Sequence, residues 1–344
     1  MRIYVSPDAH RVIVRTSGGV GSGAVARRVA PVRGVNLSPW ATGVELWESE
    51  TADLQPTHVT VPVRVETPSV DSSDAVVNAD DLSRAAAYDP GSALVIIEPY
   101  PWVDDGAESE TEWLPLDLDE WQANYTSALV EVAEALPDAY GIYVGSNLVQ
   151  VEEFTERWQD IIAAVRDVTS ARILYRTNWW VTAQFAPETL DAFAEKIANP
   201  LFGEVDIIAV AAYFELTETA RPSEDEIADC YRDSTIFERF QDVYDECRQL
   251  AEVWGKPLLF GELICARYEG ALFSPWRPWN PPDEPPPVDW MVQARYLRAT
   301  YDVFRDAPWW LGFSVYGVAY PFGDGGYNLT PAARRWCRDV MGGV

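Results

Sequence analysis

An alternation constrains this chain more than any other feature. Short runs of Val, Ile and Leu recur along its length, and a helical pattern follows most of them. The apolar runs are VRGVNLSPW (32–40), HVTVPVRVE (58–66), ALVIIEPYPW (93–102), YGIYVG (140–145), RILYRTNWW (172–180), VDIIAVAAYFEL (205–216), KPLLFGELICA (256–266) and WLGFSVYGVAY (310–320). Continuous apolar runs of this length are strands covered on both faces, as in an all-parallel sheet. Apolar spacing predicts helices over 80–89, 119–136, 152–168, 187–198, 290–306 and 330–341, with one more through 224–255. In the helix 152–168, Phe154, Trp158, Ile161, Ile162 and Val165 share a face. Eight strand–helix units predict an α/β chain closed into a (β/α)₈ TIM barrel. The alternative, a doubly wound open sheet, calls for a phosphate loop after the first strand, and VNLSPW is not one.

The 344 residues are 48% hydrophobic, enough for one large core. The barrel domain is expected over 31–344, after an N-terminal arm over 1–30. There RIYVS and RVIVR pattern as a small β-hairpin around PDAH. The glycine-rich SGGVGSGA (17–24) lacks phosphate-loop spacing and reads as a flexible connector. The N-terminal stretch has no unbroken apolar centre of the signal-peptide kind, so the expected location is cytoplasmic or virion-associated. No apolar run approaches the ~20 residues that span a bilayer, so no membrane insertion is expected.

Acidic residues number 54 against 26 basic ones, giving a formal net charge of −28, and Lys196 and Lys256 are the only lysines. Such an acidic coat suits concentrated salt, where screening acts over a few ångströms; a high-GC genome that favours arginine codons is the alternative. Either origin excludes non-specific nucleic-acid binding, which needs positive surface. Cys230, Cys247, Cys265 and Cys337 are dispersed and predict free buried thiols. With His10 and His58 the only histidines, a histidine-based metal site is effectively excluded, and neither metal nor cofactor is expected. Carboxylate chemistry is what remains easiest to build.

Barrel active sites lie at the C-terminal strand ends. Those ends supply Asn36, Ser38 and Trp40; Glu98, Tyr100 and Trp102; Ser146 and Asn147; Asn178, Trp179 and Trp180; Tyr213 and Glu215; Glu262; and Tyr316 and Tyr320. Aromatic plates bind the CH faces of sugars, while Asn, Glu and Tyr bind the hydroxyls. The chain carries 15 tryptophans. Trp40, Trp179, Trp180 and Trp276 read as ligand contacts, whereas Trp158 and Trp254, on helices, read as packing. Glu262 follows the apolar KPLLFG, so its carboxylate stands at the barrel mouth. Beside a hydroxyl such as that of Tyr213, it has the position of a glycosidase nucleophile; the plainer role is a structural acid paired with an arginine.

The ordered set GVNLSPW, YGIYVGSNL…EEFTERWQDIIAAVR, ILYRTNWW, IIAVAAYFEL, GKPLLFGELICA and QARYLRATYDVFRDAPWWLGFSVYG resembles glycoside hydrolase family 113, over roughly 32 to 341. That family comprises TIM-barrel β-mannanases whose two catalytic glutamates end strands four and seven. The resemblance implies a nucleophile at Glu262, a strand-six tyrosine at Tyr213 that hydrogen-bonds it, and substrate contacts at Asn178 and Trp179. It implies an acid/base glutamate in a G-x-E-L context at the end of strand four, but this chain has GSNL, with Asn147 at that place. An amide gives no labile proton at neutral pH, and general acid help is worth ~10²–10⁴ in rate. One remedy is a relocated carboxylate, Glu98 before Glu152, Glu153 or Glu215, with Glu152 and Glu153 expected on the first turn of the next helix; the other is a shifted register in which the barrel uses a different pair.

Two functions follow. One is a retaining hydrolase acting, if slowly, on a β-linked polysaccharide through Glu262, with Trp40, Asn36, Trp102, Asn178, Trp179, Tyr316 and Trp276 holding substrate. The other is a catalytically inactive barrel that binds cell-envelope glycan, as a virion or cell-surface component of a halophile. A third, purely structural barrel has a vestigial cleft. In the second case the N-terminal arm is the candidate contact to a protein partner.

Overall fold

The computed structural model describes residues 2–5, 12–15, 30–41, 43–278, 286–319 and 326–342. Strands β1 (Arg2–Val5) and β2 (Val12–Arg15) pair antiparallel, Arg2 opposite Arg15 and Val5 opposite Val12, as the hairpin pattern predicts. The turn between them and the glycine-rich connector lie outside the described residues, as does Tyr320.

The barrel strands are β3 (Val32–Leu37), β4 (His58–Thr67), β6 (Leu94–Val103), β7 (Gly141–Ser146), β8 (Arg172–Asn178), β9 (Ile207–Ala211), β10 (Leu258–Leu263) and β11 (Trp310–Val318). A two-residue strand, β5 (Val76–Val77), lies antiparallel on β4 outside the ring. Hydrogen-bonded neighbours run β3–β11–β10–β9–β8–β7–β6–β4, and the parallel pairing of Val35 with Val59 closes the circle. Closure rules out the open sheet.

The expected helices are present at Ala79–Ala87, Leu118–Ala135, Thr155–Val168, Pro187–Ile197, Val292–Phe304 and Pro331–Met341. Two more, Val44–Leu54 after β3 and the short Leu201–Glu204 before β9, are not marked by the pattern. The segment 224–255 holds two helices instead of one, Glu224–Cys230 and Val243–Trp254. The second has its own cap, Asp242 accepting from the Asp245 amide at 2.8 Å, and Phe237, Glu238 and Phe240 between the two take positive φ. Glu152 and Glu153 precede the helix at 155–168 instead of forming its first turn. Glu152 is held there by Lys196 at 2.8 Å and by the Thr177 hydroxyl at 2.6 Å.

Inside the ring, alternation sorts side chains into layers. A lower apolar layer joins Val32, Ile96, Tyr143, Leu174, Ile207, Ala209 and Leu259. One pleat higher on β6 and β8, the inward positions are Glu98 and Arg176, both fully buried. Outside the ring the helices pack on the strands through a larger cluster, in which Trp113, Trp121, Tyr125 and Trp158 interlock, with Trp121 and Tyr125 stacked at 5.5 Å. Truncating one such aromatic costs about 3–5 kcal/mol. Trp158 is packing, as expected.

Candidate active site

Glu262 would point outward if β10 kept a strict two-residue period, because Leu259 faces in. The ladder slips between Phe260 and the next pairs on both sides. A bulge of this kind re-aims the following side chain, and Glu262 turns into the barrel, 4% exposed. Gly261 makes room for it: a Cβ there would lie 2.8 Å from the Tyr143 hydroxyl and 3.0 Å from Cδ of Arg176. The G-E-L motif is therefore a packing requirement of the buried arginine as well as a strand end.

Arg176 is the hub. Its Nη2 contacts Glu262 Oε1 at 2.8 Å, and the same nitrogen contacts Glu98 and Ser146. Nη1 reaches Glu98 Oε2 at 3.4 Å, the Ser146 hydroxyl donates to Glu98 at 2.9 Å, and the guanidinium lies 5.0 Å from the Tyr143 ring centroid. The Tyr213 hydroxyl faces the Glu262 carboxylate and favours its ionised form. Burial raises the Glu262 carboxyl to about 7, and Arg176 opposes that rise. Burial also drives the hydroxyls of Tyr100, Tyr213 and Tyr327 well above the usual tyrosine value, so each stays a neutral donor. Both roles considered for Glu262 thus meet in one place: it pairs with an arginine, and it stands beside Tyr213.

Asn147 follows β7 directly. It is 5% exposed and takes φ 55°, a left-handed conformation that Asn tolerates better than most residues. Its side-chain amide Nδ2 donates to Oε1 of Glu110 at 3.0 Å. Glu110 was not among the candidates. It sits in a 3₁₀ turn, Glu110–Glu112, on the loop after β6, and the walls of the cleft raise its carboxyl.

The cleft over the barrel mouth has a volume of about 530 Å³, and its walls include Trp40, Tyr100, Trp102, Glu110, Tyr316 and Tyr327. Trp40 and Trp102 meet edge to face at 4.4 Å. Trp179 stacks with Trp276 at 6.4 Å and meets Tyr213 edge to face at 5.6 Å, and Asn178 ends β8 half-buried. Trp276 is the exposed member of that group, and its indole N–H reaches Glu215 at 3.4 Å.

Other candidates are placed elsewhere. Asn36 is buried and donates to the Gly261 carbonyl at 2.7 Å, bracing β10 just before Glu262. Trp180, read from sequence as a ligand contact, packs on Phe193 and Phe214 outside the ring and donates to Glu246 at 2.8 Å. β8 ends at Asn178, and in the loop beyond it Trp179 turns toward Tyr213 and Trp276 while Trp180 turns to the outer core. Glu215 pairs with Arg239, and Glu152 with Lys196. All four cysteines are free and buried. Among the described residues, no cluster of three or more His, Cys, Asp or Glu is arranged to hold a metal, and no helix is long and apolar enough to cross a membrane.

The family model of Glycoside Hydrolase Family 113 matches residues 104–320. No curated protein matches the chain. Among solved structures, the family 113 β-mannanase of Alicyclobacillus acidocaldarius is 18% identical with a TM-score of 0.67, covering 91% of this chain and 98% of its own. A family 113 β-1,4-mannanase is 16% identical at TM-score 0.67, covering 92% and 100%. The β-glucosidase of Pyrococcus furiosus is 10% identical at TM-score 0.54, covering 87% and 84%. At these identities the likeness speaks for the barrel fold. The family match spans well over half of the chain, strands β7 to β11 and the loop carrying Glu110 included, and on it the chain belongs to glycoside hydrolase family 113.

Proposed function

We propose that this protein is a retaining glycoside hydrolase that cleaves a β-linked mannan, with Glu262 as its nucleophile. The observation that carries this reading is the setting of Glu262, turned inward at a strand end beneath an aromatic cleft, with Arg176 at 2.8 Å and Tyr213 beside its carboxylate. The guanidinium favours the ionised form that attacks an anomeric carbon. Trp40, Trp102, Trp179, Trp276 and Tyr316 offer flat faces to sugar rings, and Asn178 offers an amide to their hydroxyls. The mannan substrate is taken from the family 113 structures named as β-mannanases.

Labelling tests the nucleophile directly. The wild type is incubated with 2-deoxy-2-fluoro-β-mannosyl fluoride, and its peptides are mapped by mass spectrometry. Adduct on the peptide carrying Glu262, absent from Glu262→Gln, is the expected result; adduct on another carboxylate, or none together with no sugar released from β-1,4-mannan, overturns it. A second reading, glycan binding without hydrolysis, is favoured by Asn147 standing where the family places its acid. It requires mannan binding that Trp179→Ala abolishes, with no product after prolonged incubation.

A further inference from the structure

Resting on the reading in which Glu262 attacks, we infer that Glu110 is the proton donor and general base of the reaction, and that Asn147 is the residue that positions it. The strand-four side chain reaches the proton-transfer site through a hydrogen bond instead of carrying the carboxyl itself.

Four observations support the assignment. Glu110 lines the cleft, half-buried, while its charge interacts with Glu262, Tyr100 and Tyr316. Its Oε1 accepts from Asn147 Nδ2 at 3.0 Å, and the Ser109 hydroxyl lies 3.5 Å from Oε2. Neither neighbour is charged: the Asn147 amide favours the ionised form, and burial, the larger influence, favours the protonated one. Glu98 differs on that point: its carboxylate is already engaged by Arg176 and Ser146 at the barrel floor.

The turn that carries Glu110 is fixed from two sides. Trp113, fully buried among Trp121 and Tyr125, donates to the Ser72 carbonyl at 2.8 Å. From the strand-four loop, Gln150 Nε2 donates to the Thr111 carbonyl at 3.1 Å. Asn147 and Gln150 together clamp the turn to the end of β7, where the acid of a retaining barrel belongs. Loop placement alone leaves an acid mobile; two anchors and a clamp meet the positional demand of proton transfer.

In the first half-reaction the Glu262 carboxylate bonds to the anomeric carbon and the glycosidic C–O bond breaks. Its electron pair stays on the leaving oxygen, which takes the proton of Glu110. In the second, water bonds to the anomeric carbon and gives its proton to the Glu110 carboxylate as the bond from that carbon to Glu262 breaks, its pair returning to the Glu262 carboxylate.

The test compares mannotetraose with 2,4-dinitrophenyl β-mannoside, whose leaving group needs no proton, in wild type, Glu110→Ala, Glu110→Gln and Glu262→Ala, each first checked by circular dichroism for a native spectrum. We expect Glu110→Ala and Glu110→Gln to lose about 10²–10⁴-fold on mannotetraose, while the dinitrophenol burst persists in both. Azide should restore steady turnover in Glu110→Ala and yield β-mannosyl azide; Glu262→Ala should be inert on both substrates. In Asn147→Ala the alkaline limb of kcat/KM should move to higher pH, because the amide that favours ionised Glu110 is gone. Wild type that cleaves both substrates while Glu110→Ala loses equally on both, or gains nothing from azide, overturns the assignment and leaves Glu262 standing. Wild type and Glu262→Ala alike inert on the activated mannoside overturn both.

Discussion

Replacing Glu262 by glutamine should stop turnover and yet stabilise the protein at alkaline pH. The carboxyl is raised from its ordinary 4.5 to about 7, chiefly by burial. A group raised in the fold contributes stability that is complete below its unfolded value and is lost as pH rises through its folded value. From 4.5 to about 7, at about 1.4 kcal/mol per pH unit, the wild type gives up about 3 kcal/mol through this one side chain. Glutamine has the same shape, keeps a carbonyl for Tyr213 and Arg176, and does not titrate. Arg176 retains Glu98 as its counter-ion. Urea unfolding followed by tryptophan fluorescence, at pH 4.5 and pH 8, measures the effect. The stability of Glu262→Gln relative to wild type should improve by about 3 kcal/mol across that interval. A difference that stays flat with pH, or that moves in favour of the wild type, would refute the claim that a buried, incompletely compensated carboxylate sits at this strand end.

Arg176→Met should do the reverse. It leaves Glu98 and Glu262 buried without their shared cation, so the loss should reach about 3–5 kcal/mol at pH 8 and shrink at pH 5, where Glu262 takes a proton; equal losses at both pH values in the same urea titrations would count against the shared-cation account. His58, beside Tyr140 and near Arg172 and Arg33, is lowered by burial from 6.5 to about 4. A lowered value means stability present above 6.5 and lost as pH falls through 4, about 3 kcal/mol in all, so His58→Phe should flatten the acid limb of the stability–pH curve. An unchanged limb would show that the ring is not held neutral. Gln150→Ala frees the Glu110 turn on one side and should lower kcat on mannotetraose about 10-fold with the melting curve unchanged; an unaltered kcat would mean that the Trp113 anchor suffices.

Much of this was legible because burial leaves a plain mark. All eight strands read as apolar runs, and Glu262 was conspicuous as a charge at the end of one. What sequence reading missed follows from geometry that runs do not encode. Arg176 lies in the middle of RILYRTN, and only its two-residue spacing from Leu174 and Asn178 marks it as facing inward. Trp179 and Trp180 lie past the end of that strand, where no period tells which of them faces Tyr213 and which the outer core. The inward turn of Glu262 depends on a register slip that a linear pattern does not contain. Glu110 was invisible for a different reason. DDGAESETEW reads as a solvated acidic loop, and one of its acids is singled out only by folding back against Asn147.

Charge counting explains why an asparagine suits the end of β7. Three carboxylates, Glu98, Glu110 and Glu262, interact within the barrel mouth, and Arg176 is the cation that pairs with two of them. The cluster can lower its negative charge by keeping one proton, and burial raises the carboxyls of both Glu262 and Glu110 toward holding it. A glutamate at 147 would add a fourth carboxyl against Glu110, in a left-handed backbone conformation that a longer side chain adopts at a cost of about 1 kcal/mol or more. With the amide there, the position instead supplies an N–H that orients the loop-borne acid. A nucleophile must be held where its attack is in line with the breaking bond, which ties it to a rigid strand. A proton donor needs only hydrogen-bond reach of the leaving oxygen. The two demands differ in tolerance, and in the proposed site the less exacting one is the one that has moved from strand to loop.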